Sequence, residues 1–584
     1  MRKRGISDRV LAVQRWFRDA VTYEGEPYVI DYEQAAAVTD ESLNTIVVAR
    51  AGSGKTRTLV AKIVHLVARC GVKPEEIMAF VFNANAAREI NERLSRMRVD
   101  GETIISDVRI ASTFHAFSRK IVYEVCRGEK KCGKILAGQK DGFVRAVVMN
   151  MVKEKAWNEK VLRFARGVLL NDERGLRLSD VEIDGVSQMM LQFINRAGQK
   201  YLGGEMTVGR AAEEYLEKNE VGERERFFIE IGVEVFRRYH WYLLDSERGL
   251  SGFSEYGTDF NLIVSWASKL IQSGRSEVIR LLKGKKYILI DEYQDFSQLF
   301  LAAVQAVRSV ARDVRLFVVG DDWQAINRFA GSDVEFFRNF EGYFREGFRR
   351  YEITTNYRCD KMVVDTARKF MLRAMREKGA SKAFSRRIGK VVILNPRETE
   401  VGYALVPYDL RVSAEDRILK EAVARMKTVV VNKKMVQCLK TVIRVIKVNA
   451  KAKDIMILHR NNETNMSGVS LDGFLEGLKW GLDRLGIMNA DEFDSRIRLM
   501  TMHKSKGLEA DVVIILEADE GVIPKLHPDT VLYRMFGETE EVSLDDQKRL
   551  FYVAMTRAKH RLYIMSEGGG FVKYLGRGVE RWGE

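Results

Sequence analysis

The sequence predicts an α/β protein built on parallel sheets, and three stretches carry that prediction. Thr45–Ala49 (T-I-V-V-A), Tyr287–Ile290 (Y-I-L-I) and L-F-V-V-G ending at Gly320 are continuous apolar runs. Strands buried on both faces read this way, whereas a half-exposed strand alternates. The first run passes through a glycine-rich turn into Leu59, Ile63, Leu66 and Val67, which recur at helical spacing until Gly71 and Pro74 end the helix. Ile77–Ile90 repeats the rhythm, a buried strand followed by a helix.

Composition narrows the class. At 584 residues the chain exceeds one ordinary core. It is 46% hydrophobic and 30% charged with few prolines, which describes a folded chain throughout. A net charge of +15 and a pI near 9.3 fit a polyanionic partner, although a merely soluble basic protein also reads so. Cys70, Cys126, Cys132, Cys359 and Cys438 form no C-x-x-C pair and the histidines no H-x-x-x-H, which argues against a zinc ribbon or a disulfide framework. No apolar run approaches ~20 residues, and the basic M-R-K-R start lacks a signal peptide's apolar core. A cytoplasmic protein without membrane contact is the expectation, and the family resemblance described below implies nucleoid association.

The turn after the first strand is A-R-A-G-S-G-K-T, Ala49–Thr56. Glycines at a strand-to-helix turn let backbone N–H groups face phosphate oxygens, and the helix N-terminus adds donors and partial positive charge. Ala51, Gly52, Ser53, Gly54, Lys55, Thr56 and Arg57 are therefore the nucleotide-binding candidates. Lys55 would meet the terminal phosphates and Thr56 would ligate Mg²⁺. Ala49 replaces the first glycine of the strict pattern. Asp291 and Glu292, at the end of Y-I-L-I, suit a second half of such a site: Asp291 holds Mg²⁺ through water and Glu292 activates the attacking water. Gln34 offers an amide that can pair with an adenine edge, or is an ordinary surface helix residue.

Taken in order, residues 7–21 read as an amphipathic helix packed on the first domain. In R-I-A-S-T-F-H-A-F (Arg109–Phe117), Phe114 and Phe117, like Phe82 before them, are core residues by default and base-stacking candidates by position. His115 joins the same nucleic-acid set. Residues 120–255 are helical in pattern and carry no chemical motif. G-D-D-W-Q-A-I-N-R-F-A-G-S-D (Gly320–Asp333) supplies Gln324 for the γ-phosphate and Trp323, Arg328 and Phe329 for a nucleic-acid track.

G-K-T, D-E-Y-Q-D and G-D-D-W-Q-A-I-N-R-F-A-G in this order resemble the superfamily 1 DNA helicases of the UvrD/Rep/PcrA type, and the G-D-D-W-Q form is most similar to the helicase IV branch. The resemblance implies two RecA-like parallel-sheet lobes: 1–119 with 256–345 as the first, 346–584 as the second, and 120–255 as a helical subdomain inserted in the first. Within T-T-N-Y-R-C it implies that Tyr357 stacks on adenine and Arg358 reaches the γ-phosphate. In L-M-T-M-H-K-S-K-G-L-E it places His503, Lys506 and Gly507 where DNA and ATP sites meet, and Glu509 on the ribose. In K-R-L-F-Y-V-A-M-T-R-A-K it makes Arg557 the arginine finger. The basic run 367–390 is either a solvated helix face or a surface for a phosphate backbone. No second P-loop occurs in 346–584.

The expected activity is ATP- and Mg²⁺-dependent 3′ to 5′ movement on single-stranded DNA and at single/double-strand junctions, in repair, replication or recombination. Three departures from the family stand out. Only Gly486–Arg498 lie where a large helical subdomain usually precedes the fifth motif. Asn327 and Ala330 replace a common aromatic and a common arginine. A short tail follows the sixth motif, and the expectation is that the fused nuclease of recombination-type relatives is absent. The first departure favours a rival reading, a translocase that strips proteins without unwinding. A further rival, an RNA polymerase-associated remodelling factor, calls for a long N-terminal coiled-coil arm, and some thirty residues precede Gln34.

Overall fold

The computed structural model describes residues 2–106, 108–125, 134–135, 140–166, 178–202, 206–244, 257–395, 414–426, 433–462, 469–576 and 579–582. They form two compact units. The first comprises Met1–Ala49, Lys55–Ile353 and Pro528–Glu540; the second comprises Arg50–Gly54, Thr354–His527 and Glu541–Glu584.

The first unit is built on a six-stranded sheet of β1 (Asn44–Ala49), β2 (Ile77–Val81), β3 (Ala111–Thr113), β4 (Tyr287–Ile290), β5 (Arg315–Gly320) and β6 (Phe348–Ile353). The strand order is β6-β1-β5-β4-β2-β3 and every pair is parallel. The apolar runs are two-sided, as read. Val47, Leu289, Phe317 and Val319 enter one core with α1 (Arg2–Ala20) and α2 (Lys55–Cys70). Ile46, Val48, Ile288, Ile290 and Val318 enter the other. Because all strands run one way, β1, β4 and β5 deliver the residues that follow them to one edge of the sheet, where ligands of open α/β sheets bind.

Among the described residues β6 pairs with β1 alone, and the first unit runs to Ile353. The β6 sequence F-R-R-Y-E-I leaves Arg349, Arg350 and Glu352 exposed. An edge strand needs no continuous apolar run.

The described residues between 120 and 255 are mainly helical. Their core is formed by α3 (Asp180–Tyr201), α4 (Glu223–Leu244) and neighbouring helices, which bury Met190, Phe193, Phe228, Ile231 and Val235. Four further members of that core, Leu532, Tyr533, Met535 and Phe536, come from a 3₁₀ strap, Pro528–Phe536. The Phe536 ring lies edge-on to Phe193 at 5.1 Å, Tyr533 to Phe228 at 5.0 Å, and the Arg196 guanidinium lies 4.1 Å over Tyr533. Ion pairs Arg224–Asp529, Arg534–Glu225 and Arg196–Glu538 surround the strap. Residues 346–584 are therefore not one continuous lobe. Tyr533 and Phe536 draw this stretch out of the second unit because their rings are buried in the insertion.

The second unit has its own six-stranded parallel sheet: β7 (Lys390–Leu394), β8 (Ile455–His459), β9 (Ile497–Thr501), β10 (Ala510–Ile515), β11 (Ala558–Met565) and β12 (Glu580–Trp582), ordered β9-β8-β10-β11-β7-β12. Ile455, Ile457, Val512, Ile514, Val392 and Leu394 share one core with Phe474, Leu478 and Leu482 of α6 (Leu471–Arg484), which follows α5 (Lys361–Ala374). Between α6 and β9 the chain makes only α7 (Ala490–Arg496), so no large subdomain occupies that stretch. No helix among the described residues is long and apolar enough to cross a membrane.

Candidate nucleotide and nucleic-acid site

The glycine-rich loop lies between the end of β1 at Ala49 and the start of α2 at Lys55. Gly52 (φ +71°) and Gly54 (φ +81°) occupy the left-handed region, where a side chain is strained. Ser53 is buried, and its N–H donates to the Arg50 carbonyl at 3.1 Å. In the first turn of α2, Thr56 Oγ1 donates to Asp291 Oδ2 at 2.8 Å. Arg57 instead donates from Nε to the Val29 carbonyl at 3.0 Å and covers the Tyr28 ring at 4.3 Å.

Asp291 follows β4 and is buried. Burial and the adjoining Glu292 push its pKa above the usual carboxylate range. Glu292 holds a left-handed backbone (φ +51°) that is uncommon outside glycine, and its N–H donates to Asp291 Oδ1 at 2.9 Å. Strain of this kind collects at functional sites. Gln294, which the motif reading passed over, joins two motifs. Its Nε2 donates to Glu292 Oε2 and its Oε1 accepts from the Asp321 N–H at 2.9 Å. Asp321 Oδ2 in turn accepts from Gln324 Nε2 at 2.6 Å. Gln324 is thus buried in a relay leading to Glu292 rather than set against Asp291. The signal for Gln294 was available: an amide both donates and accepts, which a bridge between two carboxylate-bearing turns requires.

In the second unit, Asn356 was also missed. Its Nδ2 donates to the Ala51 carbonyl at 2.7 Å, and its Oδ1 accepts from the N–H groups of Arg358 at 2.9 Å and Cys359 at 2.8 Å. Tyr357 donates its N–H to the Gly52 carbonyl at 2.8 Å and leaves 43% of its surface exposed. Arg358 Nε pairs with Glu509 Oε2 at 2.7 Å, and Lys559 adds a second cation at 3.2 Å. Partial burial opposes ionisation of Glu509, but these two cations hold its pKa below the ordinary value. Arg557 is 1% exposed, donating to the carbonyls of Val553 (2.8 Å) and Leu508 (3.1 Å) and to Thr556 Oγ1 (3.1 Å).

The nucleic-acid candidates divide. Phe82 and Phe329 are exposed aromatic faces, at 42% and 55%. Phe114 is a core residue, stacked between Phe80 at 4.3 Å and Phe300 at 4.4 Å, and Trp323 is wholly buried; neither presents a face to a base. His115 packs edge-on to Phe260 at 4.9 Å, and burial lowers its pKa to about 4. Arg328 lies 3.7 Å from Asp333. His503 is partly buried, and burial together with Arg460 and Lys506 lowers its pKa to about 4. Gln34 is interior rather than a surface residue: its Oε1 accepts from the Asp31 N–H at 3.1 Å, closing a capping box at the helix Tyr32–Val38.

With this geometry in place, the chain matches the model of the UvrD/REP helicase N-terminal domain over residues 30–345. The chain belongs to the UvrD/REP helicase family. The UvrD-like helicase C-terminal domain matches residues 468–568 of the same family member. It is 27% identical over 538 residues to DNA helicase IV of Escherichia coli, covering 91% of this chain and 67% of that protein. A probable DNA helicase of Mycoplasma pneumoniae is 24% identical, covering 92% of this chain and 83% of the relative. ATP-dependent DNA helicase PcrA of Leuconostoc citreum is 26% identical over 57% of this chain and 38% of its own. The N-terminal match takes in β1–β5 with the P-loop, Asp291 and Glu292, and the C-terminal match takes in β9–β11.

Proposed function

We propose that this chain is an ATP-driven motor that moves 3′ to 5′ on single-stranded DNA and separates strands at single/double-strand junctions. The observation that carries the reading is the Thr56–Asp291 hydrogen bond at the P-loop, with Glu292 beside it, in a chain of the UvrD/REP family. In this role the backbone donors of Gly52–Thr56 and the Lys55 ammonium bind the triphosphate, and Glu292 orients and deprotonates the attacking water. Thr56 and, through water, Asp291 fit Mg²⁺, since a hard cation here keeps phosphate and water ligands and needs few protein ones. That ion would neutralise phosphate charge. Arg358 and Arg557 are the candidates for the γ-phosphate, and Phe82 and Phe329 for base stacking. The short 485–496 connection favours a second reading, a translocase that displaces proteins without unwinding.

Strand separation measured beside DNA-stimulated ATPase, on paired 3′- and 5′-tailed duplexes, decides between them. Unwinding of the 3′-tailed substrate alone supports the first reading. Stimulated ATPase without unwinding supports the second. No stimulation by DNA overturns both. Lys55→Ala should abolish hydrolysis and leave single-strand binding intact; retained hydrolysis would overturn the site.

A further inference from the structure

Phe384 has 67% of its surface exposed, yet its backbone is fixed on both sides. Lys382–Ala383 pair in parallel with Thr355–Asn356, and the Phe384 N–H donates to the Asn356 carbonyl at 2.8 Å. Beyond it, Ser385 Oγ donates to Asp360 Oδ1 at 2.7 Å and the Met362 N–H to the Ile388 carbonyl at 2.8 Å. The ring this segment holds out lies 4.9 Å from the Tyr357 ring, at an interplanar angle of 40°. Tyr357 is itself bonded to Gly52, and Asn356 to Ala51. Two exposed aromatic rings are therefore tied through consecutive hydrogen bonds to the loop that carries the phosphate donors.

We infer that Phe384 is a positioning residue for the nucleotide base. It braces the Tyr357 ring so that the ring's other face meets the purine of a nucleotide whose phosphates sit on the P-loop. The inference rests on the nucleotide-site reading above. An unbraced tyrosine would give up ring freedom on stacking, and a braced one has already lost it, so the brace raises affinity by preorganisation. Aromatic stacking tolerates any base, so the effect concerns the presence of a base rather than its identity.

The test compares equilibrium binding of ATP and of inorganic tripolyphosphate, which has phosphates but no base, with steady-state ATPase beside it. Phe384→Ala should weaken ATP binding about three- to tenfold, raise KM in step, and leave kcat and tripolyphosphate binding unchanged. Phe384→Tyr should restore ATP binding. Little buried surface is removed, so the fold survives the change. Unchanged ATP affinity overturns the inference. Equal losses for ATP and tripolyphosphate also overturn it, because the P-loop itself would then be disturbed. If the unaltered protein binds neither probe, the parent reading of a nucleotide site fails instead.

Discussion

The Asn356 side chain holds the Ala51 carbonyl at 2.7 Å, so the glycine loop is fastened from outside its own strand and helix. The fastening is close. A Cβ on Gly52 would lie 2.7 Å from Asn356 Oδ1 and 2.8 Å from Arg358 Cβ. Glycine at 52 is thus required twice, by its positive φ and by the approach of Asn356.

Asn356→Ala removes one donor and one doubly used acceptor from a buried site, a loss of about 1–3 kcal/mol where groups are left unpaired. We expect kcat/KM for ATP to fall by about tenfold or more, with a lower unfolding temperature. Steady-state ATPase and calorimetry on the same samples check it. Unaltered kinetics would mean the loop holds its shape alone.

Gln294→Ala cuts the relay between Glu292 and Asp321 without touching Lys55 or Thr56. Hydrolysis should slow on the order of tenfold while ATP affinity stays within about twofold, because under the proposed function the Glu292 carboxylate is misplaced rather than lost. A single-turnover assay beside equilibrium nucleotide binding separates the two quantities.

His65 is buried near the end of α2, and neither ring nitrogen has a hydrogen-bond partner among the described residues. Burial, with Lys62, Arg69 and Arg9 nearby, lowers its pKa to about 3. The unfolded chain therefore takes up a proton, from about pH 6.5 downward, that the folded chain refuses until about pH 3, so stability is lost as pH falls through that window. This one residue should account for about 2 kcal/mol between pH 7 and pH 5. Denaturant unfolding at those two pH values should show a smaller difference for His65→Leu. An identical slope would place the acid sensitivity elsewhere.

Phe536→Ala empties the strap's place against Phe193, and loss of a buried phenyl costs about 3–5 kcal/mol. We expect the first unit to unfold earlier on heating. Lys525→Ala, outside the strap, serves as the control. Limited proteolysis should show earlier cutting within the insertion for Phe536→Ala alone.

The sheets were legible because their strands are buried on both faces, which leaves continuous apolar runs such as Tyr287–Ile290. The motif ends were legible because phosphate chemistry restricts residue type and spacing. What stayed hidden has a physical pattern. The β6 strand is half exposed, so it shows no apolar run. Trp323 and Phe114 are aromatic either in a core or on a binding face, and composition cannot tell the two apart. Asn356 acts through a contact with Ala51, some three hundred positions away in sequence. The strap carries no motif, and its rings are placed by a core built from residues some three hundred positions earlier.

That strap bears on how the protein is made. Phe193 and Phe228 leave the ribosome early, and Tyr533 and Phe536 only after strands β7–β10 have been synthesised. The insertion's apolar surface therefore stays open while much of the second unit is translated, an interval in which exposed apolar groups invite wrong partners. A fragment ending before Pro528 would carry the complete first sheet and still lack part of its neighbour's core. Neither unit is one uninterrupted gene segment, so exchanging a unit between relatives would need several joins rather than one.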